Sequence, residues 1–207
     1  MNTRLTGVVL LVFLVSLLAC SKPKHPEDLR YKKEIIKERL AKDQFLRSSP
    51  SSPLLLIQRL NFKGLKYFAP DISYRTKAKF TPLASSKSFK IMTSSGRKRL
   101  YIVKGRLDFT RNGKKLTLTA YEEKDLTASH PDDIFVPFTD LTSGRQSYGA
   151  GRYLEFNSPG RNIREVILDF NLAFNPYCAY NHNYSCPIPP PGNHLDIAVK
   201  AGEKKFH

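Results

Sequence analysis

Residues 98–121, KRLYIVKGRLDFTRNGKKLTLTAY, decide the fold. Leu107 and Phe109 alternate with polar residues up to Asn112-Gly113, and Leu116 and Leu118 resume the alternation beyond it. A period of two puts the apolar side chains on one face of an extended chain, and Asn-Gly readily takes the two positive φ angles of a type I′ turn. The stretch therefore predicts a β-hairpin, with strands over 98–110 and 114–121. Short segments rich in β-branched and aromatic residues flank it at 66–68, 73–80, 88–93, 134–138, 151–156, 163–170 and 195–199, separated by turn signals. About nine short strands with no helical pattern between them predict a mainly β domain, an antiparallel barrel or sandwich, and not a βαβ fold.

One helix precedes the strands. Pro26 suits a first helical position, Glu27 and Asp28 complement the positive end of the helix dipole, and Leu29, Ile36 and Leu40 recur on one face. That narrow apolar stripe is expected to pack on the domain, and Glu38 and Lys42 are spaced for an i, i+4 ion pair. Ser48-Ser49-Pro50-Ser51-Ser52-Pro53 cannot continue a helix. The expected organisation is helix and Ser/Pro linker over 27–53, then one β-rich domain over 54–207.

The first residues read as an export signal. Arg4 is the only early charge, Val8 to Leu18 is apolar apart from Ser16, and Leu17-Leu18-Ala19-Cys20 follows. An apolar run of about eleven residues is too short to span a bilayer, which takes ~20, so residues 1–19 are expected to be a cleaved signal peptide. The tetrapeptide resembles the lipobox of bacterial lipoproteins. That implies lipidation of Cys20 and a tether over 20–26. Each buried methylene contributes ~0.8 kcal/mol, so two or three acyl chains make a stable anchor to the bilayer. The expected location is extracytoplasmic, on a bacterial membrane. Ser21 after the cysteine favours the outer membrane in a Gram-negative source.

Charge is unevenly spread. The chain carries 34 Lys and Arg against 18 Asp and Glu; residues 21–115 hold 25 against 7, and residues 116–207 hold 8 against 11. The basic half is the half next to the expected lipid. Anionic headgroups or envelope polymers are the expected partners of such a surface, a plain solvated surface being the alternative, and nucleic acid is not expected for an exported chain.

With Cys20 taken by lipid, Cys178 and Cys186 remain, and an even pair in an oxidising compartment reads first as a disulfide. Cys178, His182, Cys186 and His194 also form a soft-metal set in composition, though their spacing fits no familiar zinc motif. Free or redox-active thiols are the third reading. The sequence contains no P-loop, nucleophile elbow or His-Glu-x-x-His helix, and no cofactor is expected. His130-Pro131-Asp132-Asp133 reads as a loop with an acidic pair.

From Asp43 onward the chain resembles the DUF1684 family of uncharacterised bacterial proteins. The resemblance rests on Lys42-Asp43 with Phe45 and the Ser-Pro segment, on Phe62-Lys63-Gly64-Leu65-Lys66-Tyr67-Phe68, on Phe138 to Gly144, on Ser147 to Leu154, and above all on LDFNLAFNPYCAYNHNYSCPIPPPGNHL at 168–195. It implies that the two cysteines, but not the two histidines, belong to the shared pattern. It implies no reaction.

Within those segments, Gly149 and Gly151 beside Tyr148 and Arg152 would let a backbone approach a ligand while a guanidinium offers bidentate donors; a kinked strand at a barrel corner explains the glycines equally. Alternation puts Asp169 and Asn171 on one face of a strand, pointing to solvent or a pocket mouth. The expected site is a small-ligand site gathering Tyr148, Arg152, Asp169, Asn171 and Asn175, with Asp140, Gly149, Gly151 and Asn193 as further candidates. The expected role is noncatalytic binding or structure. The alternative is a hydrolase of an envelope polymer, with Asp140 or Asp169 as general base and Arg152 stabilising developing negative charge. That reading requires a carboxylate buried at hydrogen-bond reach of Arg152.

Overall fold

The computed structural model describes residues 26–83, 88–124, 133–157 and 164–207. The expected leader, Cys20, most of the tether, His130 and Asp132 lie outside the described residues.

Helix α1 (Pro26–Ser48) is followed by a short α2 (Leu56–Leu60) and eight strands: β1 (Arg75–Pro82), β2 (Ser88–Met92), β3 (Lys98–Arg111), β4 (Lys114–Glu123), β5 (Asp133–Asp140), β6 (Arg152–Asn157), β7 (Glu165–Asp169) and β8 (His194–Leu195). They form one curled, half-barrel-like sheet in the order β6-β5-β4-β3-β1-β7, with β2 also on β3 and β8 on β5. Pairing is antiparallel except for the short β5–β8 contact. The expected segment at 66–68 contributes only an isolated bridge, Tyr67 to Glu203.

The hairpin of β3 and β4 forms as its sequence predicts, with Asn112 at φ 49° and Gly113 at φ 75°. Leu107, Phe109, Leu118 and Ala120 enter the main core with Phe80, Ile134, Val136, Phe138, Leu154 and Leu168. A register shift between Val103 and Gly105 lets β3 change faces. Its first half therefore sends Tyr101 to the opposite side of the sheet, where Tyr121, Phe135, Tyr153 and Ile91 form a second buried cluster. This second cluster is what builds a cavity.

The helix forms where expected but packs the other way round. Its buried residues are Tyr31, Ile35 and Leu46. Leu29, Ile36 and Leu40, expected to face the domain, are 45%, 48% and 63% exposed. The inward face is chosen by partners distant in the chain: the Tyr31 hydroxyl donates to both carboxylate oxygens of Asp169 at 2.8 Å. Arg39 donates to the carbonyl of Phe68 at 2.8 Å, and Leu46 joins Leu54 and Tyr180. Lys42 meets Glu203 at 2.6 Å, not its expected partner Glu38. Among the described residues no helix is long and apolar enough to cross a membrane.

Candidate functional site

Asp140 and Arg152 do come together, as the hydrolase reading requires, but in a sealed place. Arg152 Nη2 donates to Asp140 Oδ2 at 2.8 Å, and neither side chain is exposed. The other carboxylate oxygen accepts from the backbone of Thr142 at 2.7 Å and of Val199 at 3.1 Å. Arg152 also donates to the carbonyls of Ala201, Glu203 and Val199. The guanidinium thus ties the C-terminal segment to the ends of β5 and β6, close to the rings of Phe138 and Phe68. Burial pulls its pKa below the ordinary value and the Asp140 carboxylate opposes that.

Asp169 and Asn171 do meet, with Asn171 Nδ2 donating to Asp169 Oδ1 at 3.1 Å, but Tyr148, Arg152 and Asn175 bond to other segments, so the five expected residues do not gather around one mouth. Asp169 accepts from Tyr31, and Asn171 sits in the 3₁₀ turn that follows β7, where the alternation has stopped. Asn171 is buried and exchanges hydrogen bonds with the backbone of Asp71 at 2.8 and 2.9 Å, so it does not face solvent or a pocket mouth. Asn175 donates to Lys204 O at 2.8 Å, and its backbone N–H donates to Glu203 Oε2 at 2.9 Å. Asn193 bridges β4 and β5 through Thr119 and the carbonyl of Pro137. Gly149 packs against Gly144 at a surface turn. Gly151 has φ +95°, and a Cβ there would lie 2.6 Å from Phe138 O. Backbone partners hold most of these buried polar groups and so specify the fold, although Arg152 Nε and Asn175 Oδ1 have no hydrogen-bond partner among the described residues.

One cavity, lined by Tyr31 and Asp169, lies beside α1; an aromatic one lies over the second face of the sheet. It has a volume of about 390 Å³ and is walled by Tyr101, Phe135 and Tyr153 from the strands and by Phe174, Tyr177 and Tyr184 from the covering segment, with Cys186 and Pro187 at one side. The size lies in the range of small-molecule sites. Tyr101 stacks on Phe135 at 5.6 Å, while Phe135–Tyr153 and Tyr153–Phe174 meet edge to face at 4.7 and 5.8 Å. Tyr153 donates its hydroxyl to Pro187 O, clamping the covering segment to β6. Burial lifts the phenols of Tyr101 and Tyr153 well above the usual tyrosine value.

Three carboxylates and one guanidinium complete the wall: Glu122, Glu123, Glu155 and Arg99. Arg99 pairs with Glu123 at 3.1 Å and holds the covering segment through Ser185 O at 2.9 Å. Lys104 pairs with Glu122, and Tyr101 donates to Glu123 at 3.0 Å. One sign of this site was present in the sequence. Tyr121, Phe135 and Tyr153 occupy strand positions out of phase with the core residues, where a one-faced sheet would carry polar groups, whereas Tyr101 is in phase with Leu107 and Phe109 and reaches this face only through the register shift.

Cys178 and Cys186 are neighbours with free thiols. The Cys178 backbone N–H donates to Cys186 Sγ at 3.2 Å, and Tyr148 Oη lies 3.8 Å from Cys178 Sγ. The hydrogen bond from Cys186 pulls the Cys178 thiol down to about 6 against the effect of burial; that same bond, with burial, raises Cys186. His182 is exposed, and His194 hydrogen-bonds Thr139 Oγ1 at 2.9 Å. Among the described residues no three or more His, Cys, Asp and Glu side chains stand together as a metal set, so the two imidazoles do not join the thiols.

Comparison with known proteins agrees with the fold. An uncharacterised protein of Haloarcula marismortui, whose structure was determined in solution by NMR, is 37% identical, with a TM-score of 0.66 over 86% of this chain and 96% of that one. No curated protein matches. The pattern of DUF1684, described as proteins of unknown function, matches residues 60–204, and the chain belongs to that family.

Proposed function

We propose that this is a membrane-tethered binding domain that holds a small organic cation in the aromatic cavity, while acyl chains on Cys20 keep it at the outer face of a bacterial membrane. One observation carries the ligand class: six aromatic rings and three glutamates wall a single chamber that contains one guanidinium. Aromatic faces attract cations, and desolvation strengthens that attraction to about 2 kcal/mol or more.

Asp140 and Arg152 have the geometry of an acid–base pair but no route for a substrate, since both side chains have zero exposure. Binding is therefore the better reading.

The purified protein is titrated with benzyltrimethylammonium and, separately, with phenylacetate, and followed by NMR. The cation is expected to shift the resonances of Tyr153, Phe174 and Tyr184, and the anion to leave them in place. A silent cavity, or one that prefers the anion, overturns the ligand reading. Intact-mass analysis of protein from host membranes tests the tether: a chain beginning at acylated Cys20 is expected, and an untruncated, unacylated one overturns it.

A further inference from the structure

The largest anomaly of the surface is apolar. Leu56, Ile57 and Leu60 of α2 are 70%, 64% and 74% exposed, and Leu55 just before them is 48% exposed. Large side chains left in water in one short run mark an interaction site. On α1, positions 29, 33, 36, 40 and 47 fall on one face at 3.6 residues per turn. That face carries Leu29, Ile36 and Leu40, all exposed, with Lys33 and Arg47 among them. It points away from the buried Tyr31, Ile35 and Leu46. The two apolar surfaces adjoin: Arg59 of α2 donates to the carbonyl of Arg47 at 3.1 Å.

We infer that the outward face of α1, continued by α2, is a docking surface for an anionic lipid bilayer. An interfacial helix puts apolar side chains into the acyl boundary and cations among the headgroups, and Lys33, Lys37, Arg47, Arg59 and Lys63 supply those cations around the leucines. The position of the chain end agrees. Only residues 21–25 separate Cys20 from the start of α1, a reach of at most about 20 Å. α1 itself is about 35 Å long. A chain fixed to lipid at Cys20 can bring α2 to the same surface only by laying α1 along it, outward face down. In this arrangement the acyl chains supply attachment and the helical face supplies orientation. The inference rests on the tether reading for that orientation but not for the affinity of the face.

The chain contains no tryptophan, so Leu60→Trp in the full chain creates a sole reporter at an exposed site. The protein is reconstituted, with Cys20 acylated and also as Cys20→Ala, with vesicles of phosphatidylglycerol and phosphatidylcholine. Emission is expected to move to shorter wavelength and to be quenched by brominated acyl chains in both forms, and adding Leu56→Glu and Ile57→Glu should abolish both effects. Each of Lys33→Gln and Lys37→Gln should weaken partition of the Cys20→Ala chain about fivefold. Acylated protein that floats with vesicles while Trp emission stays solvated and unquenched overturns the surface and leaves the tether standing. An unacylated native chain whose reporter is still quenched overturns the tether and leaves the surface standing. A blue shift that follows protein concentration without lipid, together with doubled mass, identifies a second copy as the occupant and overturns the inference.

Discussion

Arg152 and Asp140 meet at 2.8 Å with neither side chain exposed, at the point where β5 ends, β6 begins and the C-terminal segment crosses them. The pair is a structural clamp. Removing one partner of such a pair leaves the other charge buried and uncompensated, at a cost of about 3–5 kcal/mol. Arg152→Ala also orphans the carbonyls of Val199, Ala201 and Glu203. Denaturant unfolding should show a loss of that size. A variant as stable as the parent would show that the clamp contributes nothing.

Gly151 precedes the clamp at φ +95°, and an added Cβ would lie 2.6 Å from Phe138 O and 2.7 Å from Pro189 Cγ. Gly151→Ala should destabilise by more than about 1 kcal/mol, since alanine avoids positive φ and backbone cannot move aside cheaply. Gly96, with a positive φ but open space around it, is the control: Gly96→Ala should cost less than Gly151→Ala in the same melt.

The thiols supply a pH prediction. Cys178 is lowered to about 6 because Cys186 donates to it. Its thiolate should therefore fill as pH rises through about 6 and be absent below, seen as ultraviolet thiolate absorbance. Cys186→Ala removes the donor and should move that transition up toward the ordinary thiol range. Because the two sulfurs are neighbours, mild disulfide oxidants should remove two hydrogens from the intact mass, by exchange through the Cys178 thiolate. Unchanged mass under oxidant would remove the disulfide reading.

Tyr184 and Tyr177 meet edge to face at 5.3 Å on the rim of the cavity, both more than a third exposed. Tyr184→Ala should change stability by no more than about 0.5 kcal/mol. It should nevertheless weaken benzyltrimethylammonium binding by about threefold to thirtyfold, the range a cation–π contact covers. Calorimetric titration separates the two; equal binding by variant and parent would take Tyr184 out of the site.

Periodicity made the hairpin at Asn112-Gly113, the strand segments and the bounds of α1 readable, because each depends on neighbours within a few residues. It misled for the face of α1. Leu29, Ile36 and Leu40 make the more regular stripe, yet Tyr31 and Ile35 are buried. Tyr31 finds its partner at Asp169, and no local pattern contains that. The polar residues singled out in the second half were read as contacts for a ligand, and the structure gives most of them backbone partners instead. Arg152, Asn171, Asn175 and Asn193 hold chain segments together in the interior.

By itself, the sequence determined a helix followed by short antiparallel strands in a barrel or sandwich, since backbone hydrogen bonding and side-chain alternation are short-ranged, and the curled half-barrel was decided by the fold. Only the tertiary structure decided which helical face meets water, that the Asp140–Arg152 pair is closed to solvent, and that aromatic residues from four strands gather behind the sheet. Each of these depends on desolvation, which is set by whatever the folded chain lays over a residue. A residue's nearest neighbours in sequence do not carry that information.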